Sequence, residues 1–219
     1  MSAEGGRGYL CSPFLSALPI TGASVTVISS AGAQATLCSS DTVAARIDEL
    51  QFELGEGPQW LAARSGKVVV IPEVATDPHH DWPIFGAALS ELPVGAIICV
   101  PMKMGAVTLG AATLYRHRPG ELSESQQNSA LAIASAIAST AAQRAMWSAT
   151  DDAPAESAEN PATRREVHQA TGMVLVQLDT TATIAYSRLQ AYAFANGRTL
   201  QSVAHDVVLR TITFDDQAP

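Results

Sequence analysis

A chain of 219 residues that is 47% hydrophobic and 16% charged can close one large or two modest cores, which excludes a disordered class. Its net charge of −8 is uneven: residues 1–150 carry eight basic and twelve acidic groups, 151–160 four acids and no base, and 161–219 five of each. No apolar run approaches the roughly 20 residues of a membrane span, and the opening MSAEGGRGYL lacks the features of a secretory signal, so a cytoplasmic location is expected. The three cysteines, Cys11, Cys38 and Cys99, are far apart and in no CxxC spacing, which predicts buried, reduced thiols. His79 and His80 have no third ligand spaced to join them, so no metal site is expected.

Residues 1–14 form an N-terminal segment, polar and glycine-rich over Met1–Gly8, with a short helix expected near Tyr9–Leu18. Ala23–Ser29 alternates like a strand, Ala31-Gly32 suggests a hairpin turn, and Ala33–Ser39 returns as a second strand. Asp41 can cap a helix running to Phe52, with Val43, Ile47 and Leu50 on one side. Gly55-Glu56-Gly57-Pro58 breaks the chain before a short helix at Gln59–Arg64, which Gly66 ends. Lys67–Ile71 suggests a buried strand and Pro72–Pro83 a polar loop. Ile84–Glu91 then suggests a helix, and Gly95–Lys103 with Val107–Arg116 a hairpin around Gly105. This order predicts an α+β layer, an antiparallel sheet with helices gathered on it.

The words LGEGP (54–58), DWPIF (81–85), the Val94-Gly95 turn, VPMKM (100–104) and LGAATLY (109–115) resemble a GAF domain over about Leu15 to Arg144. The resemblance implies a sensory module, 15–122, whose pocket can take a small molecule of unknown identity. Trp60, Asp81 and Trp82 are its candidate ligand contacts, although each also fits ordinary packing or capping. Close relatives of this pattern often carry cysteine after GEGP; Gln59 stands there instead, against thiol chemistry.

Ser123-Glu124-Ser125-Gln126 has the form of a capping box, opening a helix over 123–150, about 40 Å long. Its seam of Leu131, Ile133, Ala134, Ile137, Ala138, Ala141, Ala145 and Met146 exceeds what one sheet is expected to cover past Ser139, which predicts a homodimer. Residues 151–160 form an acidic linker.

Three short helices follow in 161–213. Pro161 after Asn160 opens the first, Thr181 precedes Ala182–Ala195 with Asn196-Gly197 as its stop, and Thr199 precedes Leu200–Thr211. Helical spacing gives three inward stripes: Val167, Ala170, Val174 and Leu178; Ala185, Leu189, Tyr192 and Ala193; Leu200, Val203, Ala204, Val207 and Val208. With Gly172 mid-helix, small residues at facing positions are expected to let the helices approach closely. The run Gln169-Ala170-Thr171-Gly172-Met173, then Ala185-Tyr186 with Leu189, then Leu200-Gln201-Ser202-Val203-Ala204, resembles an ANTAR domain. That family is a three-helix RNA-binding output module of bacterial transcription antiterminators. Thr171, Gln177 and Gln190 stand where the family commonly has basic residues.

The two resemblances together imply a signal-responsive regulator that binds tandem stem-loops in nascent mRNA and promotes antitermination. Arg164, Arg165, Arg188 and Arg198 are the candidate phosphate or stacking contacts, and His168, Gln169 and Asn196 the candidate base-edge contacts. Tyr186 and Tyr192 fit either stacking or core packing. A neutral module releases few counterions, so binding per module should be weak and should gain from a dimer. Two alternatives remain: a dimerisation or protein-interaction module that does not bind RNA, and a cysteine-based GAF reductase. No catalytic constellation and no cofactor are expected.

Overall fold

The structure, a computed structural model, describes residues 10–28, 34–77, 81–149 and 161–214, with 146–149 and 161–165 described by their backbone alone. In chain order the elements of the first region are α1 (Ser12–Ala17), β1 (Gly22–Ile28), β2 (Gln34–Ser39), α2 (Thr42–Leu54), α3 (Pro58–Ser65), β3 (Val69–Ile71), α4 (Pro83–Leu89), β4 (Ala96–Met104), β5 (Val107–Arg116) and α5 (Glu124–Ala149). The second region holds α6 (Pro161–Gln177), α7 (Ala182–Ala195) and α8 (Leu200–Val208). The described residues divide into two compact units, the first within 10–149 and the second within 161–214.

In the first unit the five strands pair antiparallel in the order β2-β1-β5-β4-β3. The two hairpins expected from sequence, β1–β2 and β4–β5, are both present, and the Ala31-Gly32 turn lies outside the described residues. Period-two alternation sends the central strands into two cores. Ile98, Val100 and Met102 of β4, with Ala112 and Leu114 of β5, meet α1 and α5 on one face. Ile97, Cys99, Ala111 and Tyr115 meet the layer of α2 and α4 on the other. The β3 segment is shorter than expected and only Ile71 is buried, because it pairs on one side only and forms the sheet edge.

Local signals place the helices. Asp41 caps α2 through the Ala44 N–H at 2.8 Å and also accepts the Tyr115 hydroxyl at 3.1 Å, tying the helix start to β5. Asp48, buried on α2, accepts the Thr26 hydroxyl at 2.6 Å and that of Thr36, so a carboxylate on the inner face is satisfied by β1 and β2. The capping box is reciprocal: the Ser123 N–H donates to Gln126 at 2.9 Å and the Gln126 N–H to Ser123 Oγ at 3.3 Å.

Two sequence expectations are corrected here. Cys11 and Cys38 are not reduced thiols but a buried disulfide with Cα atoms 6.2 Å apart, within bridging range. The antiparallel return of β2 on β1 brings them together, a non-local event that spacing does not reveal. Cys99 is free and buried, as expected. The α5 seam is also used further along than expected: Ala130, Ala134, Ile137, Ala138 and Ala141 all pack into the first unit's own core.

In the second unit, Val167, Ala170, Val174, Ala185, Leu189, Ala193, Leu200, Val203, Ala204 and Val207 are buried, and Leu178, Tyr192 and Val208 half-buried, as the three stripes require. Thr181 and Thr199 cap α7 and α8 by accepting the N–H groups of Ile184 and Ser202. Two details differ from expectation. Helix α8 ends at Val208 rather than Thr211, because Arg210 turns left-handed at φ 59°. Gly172 faces outward, and a Cβ placed on it meets nothing within 4 Å, so it mediates no close helix approach.

Candidate functional site

The second unit presents the residues that could meet a nucleic acid. Its core is closed by its own three helices, which leaves the outward face of α6 and the exposed face of α7 for other work. His168 and Gln169 are exposed on α6, one turn from Gly172 and Met173. Arg164 and Arg165 fall in α6, and their side chains lie outside the described set. Arg188 is exposed on α7 and has no ion-pair partner among the described residues. Asn196 is exposed at the end of α7, where its Nδ2 donates to the Tyr192 carbonyl at 2.8 Å.

Arg198 is engaged differently. Its guanidinium donates to Asp206 at 2.6 Å and to the Ser202 hydroxyl at 2.6 Å and carbonyl at 3.1 Å. That geometry clamps the α7–α8 turn onto α8, and Arg198 is half-buried in it. Tyr192 packs edge-on to Phe214 with ring centroids 5.3 Å apart. Thr171 is turned inward and donates to the Val167 carbonyl at 2.7 Å, so this departure from the family pattern is not an exposed contact in this chain. Gln177 accepts the Phe214 N–H at 2.9 Å.

Sequence reasoning does not find a groove of about 500 Å³ lined by Gln169, Gly172, Met173, Val176, Gln177, Arg210 and Thr213. Its α6 members recur at i, i+3, i+4, i+7 and i+8, a helical-face pattern that was legible. Its other wall, Arg210 to Thr213, follows the last helix and carries no periodic signal.

In the first unit the GEGP turn works as a structural hub. Gly57, at φ 126°, presses on Gln51: a Cβ there would lie 2.7 Å from Gln51 Cγ. Gln51 Oε1 accepts the Gln59 N–H at 2.8 Å, its carbonyl accepts Trp60 Nε1–H at 2.8 Å, and Glu56 accepts the Phe85 N–H at 2.7 Å at the start of α4. The Trp60 indole is thus a packing group held by α2. Trp82 is half-buried at the N-cap of α4 and Asp81 is exposed. Gln59, fully buried, accepts the Thr113 hydroxyl at 3.0 Å, and Thr113 meets the Cys99 sulfur at 3.4 Å. The amide nitrogens of Gln51 and Gln59 are buried without a partner among the described residues. Burial pushes the Cys99 thiol up to about 12, with Asp48 adding to it and the Thr113 hydrogen bond opposing. Among the described residues no group of three His, Cys, Asp or Glu could hold a metal ion; His79 and His80 lie outside them. No helix there is long and apolar enough to cross a membrane.

Comparison with known proteins agrees with this geometry. A GAF domain model matches residues 15–140 and an ANTAR domain model residues 156–208. The chain belongs to the GAF domain family and carries an ANTAR domain behind it; both are regulatory domain types, fitting signal transduction and control of transcription. No curated protein compared with it matches. Among solved structures, the GAF domain region of a Geobacter sulfurreducens PCA protein is 13% identical with a TM-score of 0.51, over 62% of this chain and 89% of that one, a likeness of fold. A sensor histidine kinase domain from Sinorhizobium meliloti 1021 is 14% identical at a TM-score of 0.49, over 67% of this chain and 96% of that one. A type II free methionine-R-sulfoxide reductase from Thermoplasma acidophilum is 15% identical at 0.49, over 63% and 89%.

Proposed function

We propose that the chain is a signal-responsive RNA-binding regulator whose C-terminal bundle grips paired stem-loops in nascent mRNA and favours antitermination. The observation that carries this is the ANTAR match over a bundle whose packing stripes close on themselves, leaving Arg188, His168 and Gln169 outward. Loop bases are read by stacking and edge hydrogen bonds, and such side chains can supply them. The module is neutral, with five basic and five acidic groups in 161–219, so two copies acting together give the affinity that one lacks. The reductase alternative has little support: Cys99 is buried with its thiol pushed to about 12, and Cys11 and Cys38 are joined.

The test is binding of RNAs carrying one or two hairpins from the leader of the protein's own operon, across a salt series. Two hairpins should bind about a hundredfold more tightly than one, the lower end of bivalent gain. Arg165→Gln and Arg188→Gln should each weaken binding and reduce the salt slope by about one. Equal affinity for one and two hairpins, or unchanged binding in both variants, would reject the reading. A protein-interaction module is the second reading. It is favoured by Val176, 76% exposed, and Phe194, 75% exposed, on the bundle surface.

A further inference from the structure

We propose that the groove between the outer face of α6 and residues 209–214 is a seat for one unstacked nucleobase of the bound loop, with Arg210 holding the adjoining phosphate. This rests on the RNA reading above and names the part of the surface that discriminates among loops.

The groove combines the three things a flipped base requires. The first is an apolar floor. Val176 is exposed, Met173 offers a polarizable thioether, and Gly172 adds no side chain, so the space above the helix stays open. The second is an edge reader. The Gln169 amide is exposed at the groove with no partner among the described residues, and one amide can donate and accept at once. The third is a cation for the backbone. Arg210 lines the groove, is exposed, and has no ion pair among the described residues, in contrast to Arg198, which Asp206 holds.

The outer wall is fastened before any ligand arrives. The Phe214 N–H donates to Gln177 at 2.9 Å, the Phe214 ring meets Tyr192, and the Thr211 N–H and hydroxyl donate to the Asp206 carbonyl at 2.8 and 2.9 Å. Arg210 is held at φ 59°, a strained conformation for a long side chain, which aims the chain out of the helix path. A preformed seat lowers the ordering cost of binding. The outer wall lies past residue 208, where the ANTAR match ends, while the α6 face of the groove lies within the match.

The experiment uses the full chain and a synthetic two-hairpin RNA, its loops enriched on the wild-type protein from a randomised pool. Gly172→Leu fills the groove where the structure has open space, and it replaces a helix-weakening residue, so it should fold. Its affinity should fall roughly tenfold or more, the scale of one lost base stack. Arg210→Gln should lose affinity and lower the salt slope by about one. Replacing loop bases one at a time by abasic sites should weaken wild type at one position where Gly172→Leu loses nothing further. If both variants bind within about twofold of wild type, a change too small for a lost stack, the groove is not the base seat, although the RNA reading survives. If they bind normally but Gly172→Leu changes the oligomeric mass, the groove is a protein contact and the proposal fails. If the pool yields no RNA that wild type binds, the RNA reading fails and takes this proposal with it.

Discussion

Gly172 and Cys99 are the single residues whose surroundings make the sharpest claims. Gly172 sits mid-helix at ordinary helical φ, and a methyl group added there would meet nothing within 4 Å, so no packing reason keeps it glycine. Gly172→Ala should therefore stabilise the second unit by about 1 kcal/mol in urea unfolding. No gain would mean that a neighbour already occupies the space. Cys99 is the opposite case, a fully buried thiol held protonated to about 12 against an ordinary 9.0. The unfolded chain sheds that proton first, so the Cys99 contribution is whole below pH 9 and falls as pH climbs towards 12. Tyr115, raised to about 12 by burial and then by Asp41, acts in the same direction from its ordinary 10.0. Between pH 8 and 10.5 the Cys99 share of the loss is about 2 kcal/mol. Cys99→Ala should lack that share while keeping the Tyr115 slope. Parallel pH curves for the two proteins would show that the thiol is accessible to base in the folded state.

At the scale of elements, the disulfide is the change with the largest expected consequence. It joins the residue before α1 to β2 across a separation of 27 residues, inside the core that α5 also shares. Closing a loop of that length is worth about 3.5 kcal/mol in the chain-entropy account. Reductant, or Cys38→Ala, should lower the unfolding free energy of the first unit by that amount and leave the second unit alone. An unchanged midpoint in reductant would mean that the bond does not form. The elements themselves were legible wherever the signal is local. Thr181 and Thr199 cap where they were expected to, the Ser123–Gln126 box closes, and the three apolar stripes are the ones that bury. What was not legible depends on distant partners. Asp48 looks like a surface acid until β1 and β2 bring Thr26 and Thr36 to it. Arg198 looks like a free cation until α8 returns Asp206 to it. Arg210 follows the last periodic residue and so gives no signal of its own; only the folded bundle sets it against α6.

For the whole molecule, two compact units, each with its own buried side chains, predict two unfolding transitions. Reductant should move the first transition and Gly172→Ala the second, which assigns them. Tandem-hairpin RNA at about a hundred times its dissociation constant should then raise the second by about 2.7 kcal/mol through direct binding. A regulator must do more than hold two independent domains on one chain. If the folded sensor gives the bundle a different RNA affinity from the unfolded one, RNA must change the stability of the sensor by the same coupling free energy, about 1–3 kcal/mol in typical cases. The first transition should therefore also shift when RNA is added, and the shift should persist in reductant if the disulfide is not the signal. Any dimer adds a concentration dependence, so the scan should be repeated across a tenfold range of protein, for which a dimeric unit gains about 1.4 kcal/mol. A first transition that ignores both RNA and protein concentration would mean that the sensor neither dimerises nor communicates with the bundle, and that regulation runs through the C-terminal unit alone.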